Sequence, residues 1–432
     1  MLGRRRGRFP AMTQHLKVRG AALPANVHGA ADPNFSCAVR AFAAMFPGRR
    51  FGGGALSVYL HGKPVVDVWT GWSDRAGRVP WSPDTGAMVF SATKGAASTV
   101  IHRLVDRGLI DYDVPVAQYW PDFGANGKAA ITVRQLLGHR AGLTHLNGAS
   151  RSDLLDHMAM EARMAAAAPG PERGKSAYHA LTYGWLVSGL ARAVTGIGMR
   201  ELFRTELAGP LGTDGLHLGR PPVSAPTVAA EIIMPQRSRR SPIVDQLVPR
   251  AAALRRSGGL GAIYFPGVMD TVRGDTPFLD TEAAALNGVI TARGLGRLYG
   301  ALANGGQING TQLLSRRVVA GLSGRRTLEL DRTIGIPLAF HLGYHAVPYG
   351  PALPGFGHVG LGGSMGWADP ASGLAIGFVH NRLLTPFVAL DQAGFVGTAA
   401  LIRRGAARAR RHGYTSIPQL GAPFVERDAA AG

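Results

Sequence analysis

Two stretches far apart in the chain carry the same signature, a pair of β-rich runs split by a turn. Residues 55–60 and 65–69 flank His61-Gly62-Lys63-Pro64, and residues 363–368 and 374–380 flank Asp369-Pro370-Ala371-Ser372-Gly373. Runs of this kind, bounded by Gly, Pro and Asp, read as β-hairpins. Between them the pattern turns helical. Helices are predicted over 96–107, ending at Gly108; over 133–137, capped by Thr132 and closed at Gly138; over 152–167; over 183–194, before Gly196; and over 295–303, before Asn304-Gly305-Gly306. A last helix is predicted over 388–403. Hairpins near both ends and helices in the middle point to an α/β (α+β) fold. Its antiparallel sheet is built from both chain ends and flanked by helices, with a mostly helical region inserted.

The domain division that follows has four parts. Residues 1–35 form a basic, loosely ordered lead-in. Residues 36–90 together with 340–405 form the sheet domain, 91–339 the mostly helical domain, and 406–432 a basic tail. Within the helical domain, 221–280 is dominated by Pro, Arg and Ser and reads as a long surface excursion covering a site.

Composition narrows the functional classes. With 432 residues, 46% hydrophobic and 17% charged, the chain is globular and long enough to bury a large core. Its net charge of +20 comes almost wholly from arginine, because only 5 of the 47 basic residues are lysine. The arginines cluster at 4–8, at 237–256 and at 403–411. None of these clusters is interleaved with aromatics, so no specific nucleic-acid partner is expected. Peripheral contact with an anionic membrane surface stays open. No segment approaches the ~20 apolar residues of a membrane span. The basic start lacks a following apolar run, so no secretory signal and a cytoplasmic location are expected. The single Cys37 excludes an intramolecular disulfide and reads as a small buried hydrophobe. His341 and His345 have i,i+4 spacing but sit in no H-E-x-x-H motif, and no phosphate-binding G-x-x-x-x-G-K-[ST] loop occurs. Neither a metal nor a cofactor is expected. Oligomeric state is not legible.

The candidate chemistry starts at Ser91-Ala92-Thr93-Lys94, just after the apolar run Met88-Val89-Phe90. Positions i and i+3 share one helix face, which puts the Lys94 amine within reach of the Ser91 hydroxyl. A serine hydroxyl needs an adjacent base, and lysine serves only when its pKa is lowered. Alone, the tetrad reads more simply as an N-cap serine followed by a surface lysine. Two further groups follow: Tyr178-His179-Ala180 before Tyr183-Gly184-Trp185-Leu186, and Gly357-His358-Val359-Gly360 before Leu361-Gly362-Gly363-Ser364. A rival also exists. Residues 362–366 fit the G-x-S-x-G nucleophile elbow, with Asp391 and His412 following in triad order. That elbow needs a strand-to-helix turn, whereas Ser364 falls in a predicted hairpin and is expected to line the cleft instead.

Order and spacing give these groups their weight. With the connecting segments 136–143 (Leu-Leu-Gly-His-Arg-Ala-Gly-Leu), 295–306 and 357–363, the chain resembles the serine β-lactamase and penicillin-binding-protein superfamily. Within it, the chain is most similar to class C β-lactamases and family VIII carboxylesterases, from about Gly53 to about Arg403. The resemblance implies a β-lactamase/transpeptidase-like fold. It also implies Ser91 as the acylated nucleophile, Lys94 as its proton acceptor, and Tyr178 as general base in one half-reaction and general acid in the other. The backbone N–H groups of Ser91 and Leu361 would form the oxyanion hole, with His358 and Gly360 in the substrate-binding strand.

Two departures bear on substrate. Ala180 stands where the family usually has Asn or Ser, and His358-Val359-Gly360 stands where β-lactamases usually have Lys-Thr-Gly. Both remove groups that would grip a β-lactam. The expected function is therefore a serine carboxylesterase hydrolysing small acyl esters through an acyl-enzyme on Ser91. The alternatives are a β-lactamase or penicillin-binding-type protein, or an acyltransferase using the same acyl-enzyme. From other classes, a binding protein that acylates without turnover and an idle scaffold acting through its arginines remain.

Overall fold

The computed structural model describes residues 23–146, 148–233, 262, 277–324, 327–346, 353–383 and 388–417. The first predicted hairpin is β2 (Gly53–Leu60) and β3 (Lys63–Gly71), and an additional strand, β1 (Val27–Ala31), pairs outside β3. The turn is tighter than predicted. Only His61 and Gly62 form it, both with positive φ (49° and 74°), the backbone shape that matches the twist of a two-residue hairpin. The second hairpin is β14 (Met365–Asp369) with β15 (Leu374–His380). β15 lies beside β2, so the two chain ends meet at the centre of one antiparallel sheet. That sheet continues through β13 (Phe356–Val359), β12 (Tyr344–Ala346), β11 (Pro337–His341) and β10 (Glu329–Leu330), giving nine strands in the order β1-β3-β2-β15-β14-β13-β12-β11-β10.

Side-chain alternation decides what covers each face. Leu56, Val58 and Leu60 of β2, with Leu374, Ile376 and Phe378 of β15, point to one core; Ala55, Tyr59, Ala375 and Val379 point to the other. The first core is closed by α1 (Ser36–Ala44) and the C-terminal helix Val388–His412. The second is closed by the helix Ala292–Ala303, whose glycines allow near contact. A Cβ on Gly296 would fall 2.6 Å from Ser57 Oγ, and one on Gly377 would fall 2.3 Å from the Ala292 carbonyl oxygen. The sheet is thus sandwiched between helices, and the helical region grows from its second face.

Several boundaries differ from the sequence reading. The lead-in 1–35 supplies an edge strand, because β1 pairs from Val27↔Thr70 to Ala31↔Val66. The C-terminal helix runs to His412, past 403 and into the stretch read as a tail. Ala399, Ile402, Ala406 and Ala409 are buried at helical spacing, so packing carries the helix onward. Residues 152–167 form two helices, Arg151–Leu155 and His157–Ala166. The break is Asp156, which is extended and accepts a hydrogen bond from the Ala159 N–H, a better use of its carboxylate than a helix interior. The helical region also holds a small sheet that the sequence did not reveal. It comprises β4 (Thr85–Met88), β5 (Leu216–Leu218), β6 (Val228–Ala229) and β7 (Gly288–Ile290), each too short to show a period, and a separate two-stranded ribbon pairs β8 (Gln307–Ile308) with β9 (Thr311–Gln312). The excursion 221–280 lies outside the described residues except for 221–233, 262 and 277–280. Cys37 is half-buried, not buried.

Candidate active site

Ser91 sits where β4 gives way to α2 (Thr93–Asp106), in a single tight turn, Phe90–Ala92. Phe90, directly before it, is held at φ +48°, a costly conformation for a bulky side chain. Neighbouring segments impose it. Val89 N–H donates to the Gly288 carbonyl, Thr93 Oγ1 accepts from the Gly288 N–H at 3.0 Å, and β13 ends against this turn. A Cβ at Gly360 would lie 2.1 Å from the Val89 carbonyl oxygen, so glycine there is what lets the strand reach the serine.

Lys94, the second residue of α2, is completely buried. Its Nζ lies 3.2 Å from Ser91 Oγ, 2.7 Å from the Ala180 carbonyl and 2.9 Å from the Ala285 carbonyl. Burial holds the amine well below the usual lysine range. A neutral amine has two N–H donors and one lone pair. The two carbonyls accept the two hydrogens, which leaves the lone pair for the Ser91 hydroxyl proton.

Tyr178 completes the group. Its ring lies 5.0 Å from Lys94 Nζ and stacks on Phe340 of β11 with a 5.5 Å centroid separation. Its hydroxyl pairs with Ser91. Burial raises its pKa, against a smaller lowering from Ser91, so the phenol keeps its proton at neutral pH.

The segment carrying Tyr178 is clipped to the loop after the helix Val133–Leu137 by three hydrogen bonds. His139 Nδ1 accepts from the His179 N–H at 3.1 Å, His179 Nε2 accepts from the Leu143 N–H at 3.1 Å, and the Ala177 N–H donates to the His139 carbonyl at 3.1 Å. Both rings are buried and neutral: burial pushes His179 down to about 3 and His139 well below its usual range. Each is a hydrogen-bond acceptor for backbone. Neither role is legible in the sequence alone. The signals available were that His139 lies in the family-like 136–143 segment and His179 directly follows Tyr178.

The substrate-strand residues fall at the same place. His358 lies on β13, its ring 6.3 Å from that of Tyr178 and 4.8 Å from that of His345. His358 Nδ1 is 3.1 Å from the Val359 carbonyl, which makes Nδ1 the protonated nitrogen and leaves Nε2 a buried acceptor with no partner among the described residues. Burial, then the nearby His345 and Lys94, lower its pKa well below the usual value, so His358 is no cation at neutral pH. Leu361 opens the next turn and is 39% exposed. Ala180 is buried in a small apolar group with Tyr178 and Ala262, against Phe340. Ala262 belongs to the 221–280 excursion, so that excursion touches the site.

The rival nucleophile is elsewhere in character. Ser364 is buried, precedes β14, and spends its Oγ on the backbone of His380, accepting from its N–H at 3.2 Å. The His380 imidazole faces the Gly362 carbonyl and the Arg382 N–H instead. Ser364 therefore neither lines the cleft nor forms an elbow, and the turn leads from strand to strand. His341 and His345 do not converge either: one pairs with the Gly321 carbonyl, the other accepts from the Val359 N–H.

A buried lysine beside a serine hydroxyl, with a tyrosine next to it and a sheet strand at its back, lies in a chain whose β-lactamase/transpeptidase-like fold is that of a serine hydrolase. The chain belongs to the beta-lactamase family, whose model matches residues 38–400. It is 63% identical to the esterase/beta-lactamase LipL of Mycobacterium tuberculosis over 407 residues, which is 94% of this chain and 95% of LipL. Among solved structures it is similar to a family VIII carboxylesterase, with TM-score 0.73 and 31% identity over 88% of this chain and 99% of that one. It is also similar to a penicillin-binding-protein homologue from Caulobacter crescentus, with TM-score 0.71 and 31% identity over 89% and 99%. No helix among the described residues is long and apolar enough to cross a membrane.

Proposed function

We propose that the protein is a serine carboxylesterase that hydrolyses small acyl esters through a covalent acyl-enzyme on Ser91. The observation that carries this reading is the buried Lys94 amine, which donates to two backbone carbonyls and lies 3.2 Å from Ser91 Oγ. Ser91 Oγ attacks the ester carbonyl as its proton passes to Lys94. The developing oxyanion is held by the Ser91 and Leu361 N–H groups. Tyr178, protonated beforehand, gives its proton to the departing alkoxide, and the lysine proton restores the phenol. Water then attacks the acyl-enzyme, losing a proton to Lys94; Ser91 leaves and takes that proton back.

Two side chains beside Tyr178 support this substrate class. Ala180 offers no side-chain amide, and His358 offers an imidazole acceptor without a charge. Both suit an uncharged ester better than a β-lactam carboxylate. β-Lactam turnover is the second reading, supported by the 63% identity to a relative named as both esterase and beta-lactamase. The purified protein is expected to hydrolyse p-nitrophenyl acetate and butyrate, to lose this in Ser91→Ala, and to hydrolyse nitrocefin far more slowly. A wild type that prefers nitrocefin would reverse the order of the two readings. Added alcohol that diverts the acyl group from water would mark an acyltransferase.

A further inference from the structure

We propose that the hairpin 328–336, beside the catalytic cleft, docks the protein on an anionic lipid surface. Twelve large apolar side chains are exposed among the described residues, and four of them, Leu328, Leu330, Ile334 and Ile336, fall within these nine positions. Scattered exposed apolar residues need no explanation, but a cluster on one sheet edge does. β10 and β11 leave that edge as the last strands of the nine-stranded sheet.

Charge chooses the occupant. Of the two acids in the hairpin, Glu329 is paired with Arg140, and Asp331 is buried, accepting from the Thr333 and Ile334 N–H groups at 3.0 and 2.9 Å. Arg332, directly after them, is exposed. The exposed face is therefore apolar and cationic in a chain of net charge +20, the combination that partitions into an anionic headgroup layer. A second copy fits poorly. A two-fold contact would set Arg332 against its own like charge, and a stable dimer needs ~20–30 residues a side, far more than this hairpin presents.

The hairpin is also fixed to the site. Ser176 Oγ donates to Asp331 Oδ2 at 3.2 Å, the Arg332 N–H donates to the Ser176 carbonyl at 2.9 Å, and Phe340 of β11 stacks on Tyr178. A surface that seats the hairpin thus holds the cleft close to it.

The test is co-flotation of the full chain with phosphatidylglycerol/phosphatidylcholine vesicles and with phosphatidylcholine vesicles alone. The wild type is expected to float with the anionic vesicles and much less with the neutral ones. The Leu330→Asp/Ile334→Asp variant is expected to lose partitioning by roughly two orders of magnitude. Arg332→Glu, a change at an exposed side chain, is expected to weaken it more at low salt than at high salt. Unaltered near-UV circular dichroism and melting temperature keep the result separate from misfolding and from the esterase reading. A wild type that does not float overturns the proposal, as does a double variant that floats as well as wild type. Equally damaging would be a wild-type dimer that the double variant converts to monomer, since the face would then be a contact between copies.

Discussion

Replacing Lys94 by methionine should change the pH dependence of stability more tellingly than stability itself. Methionine fills similar volume without a charge, and it leaves the Ala180 and Ala285 carbonyls without their donor. Two orphaned buried carbonyls cost roughly 2–6 kcal/mol. Against this, an amine held well below its usual pKa in the folded chain costs stability relative to a lysine that is charged when unfolded, by at most about 4 kcal/mol at about pH 7.5. The two effects offset, so a melting temperature at one pH decides little.

The slope decides. Lys94 is depressed in the folded state, so between its folded and unfolded pKa values the unfolded chain binds one more proton than the folded one. Unfolding free energy then rises with pH by about 1.4 kcal/mol per unit in that window. Urea unfolding of both proteins at about pH 7.5 and about pH 9.5 should show the wild type gaining stability on the variant, by at most about 2.7 kcal/mol. Tyrosine ionisation is common to both chains and largely drops out of the difference. Ester hydrolysis by Lys94→Met is expected to fall by about 10²–10⁴-fold, the usual contribution of a general base. Parallel stability curves would mean that folded Lys94 is charged, and the proton-transfer scheme would fail with it.

Other substitutions probe other joints of the structure. His139→Asn keeps an acceptor near Nδ1 and tolerates the φ of +58°, whereas His139→Gly keeps only the backbone freedom. The Asn variant should hold most of kcat, and the Gly variant should lose it with KM little changed; equal losses would mean that the His179 N–H contact does not position Tyr178. Ser364→Ala should cost about 1 kcal/mol in urea unfolding and leave ester hydrolysis intact, because its hydroxyl serves only the His380 backbone; lost hydrolysis would revive the elbow. Gly366→Ala would put a Cβ 1.8 Å from Tyr299 Cε2, and a loss of about 1–3 kcal/mol by thermal or urea unfolding is expected. An unchanged melting curve would show that the Ala292–Ala303 helix yields more easily than its packing implies.

What the sequence revealed was local, and what it concealed was brought from a distance. Ser91 and Lys94 are three residues apart on one face, so their pairing could be read directly. The Lys94 proton acceptors could not. They are carbonyls 86 and 191 residues away, and a backbone carbonyl has no sequence signature. Long hairpins showed their period, whereas the two- to four-residue strands β4 to β7 could not. β1 reads Val-His-Gly-Ala-Ala, too poor in branched residues to signal a strand, and its pairing with β3 places it. Asp156 ended a helix that composition alone would have carried through, and the buried alanines after 403 extended one that composition would have stopped.

The central claim is that Ser91 carries the acyl group, and intact-mass spectrometry tests it directly. Wild type and Ser91→Ala would be mixed with a fluorophosphonate or a slowly deacylating ester, and the adduct mapped by peptide digestion. One adduct on wild type, located on Ser91 and absent from Ser91→Ala, is the expected result. An adduct that persists in Ser91→Ala, or one that maps to Ser364, would contradict the assignment of the nucleophile.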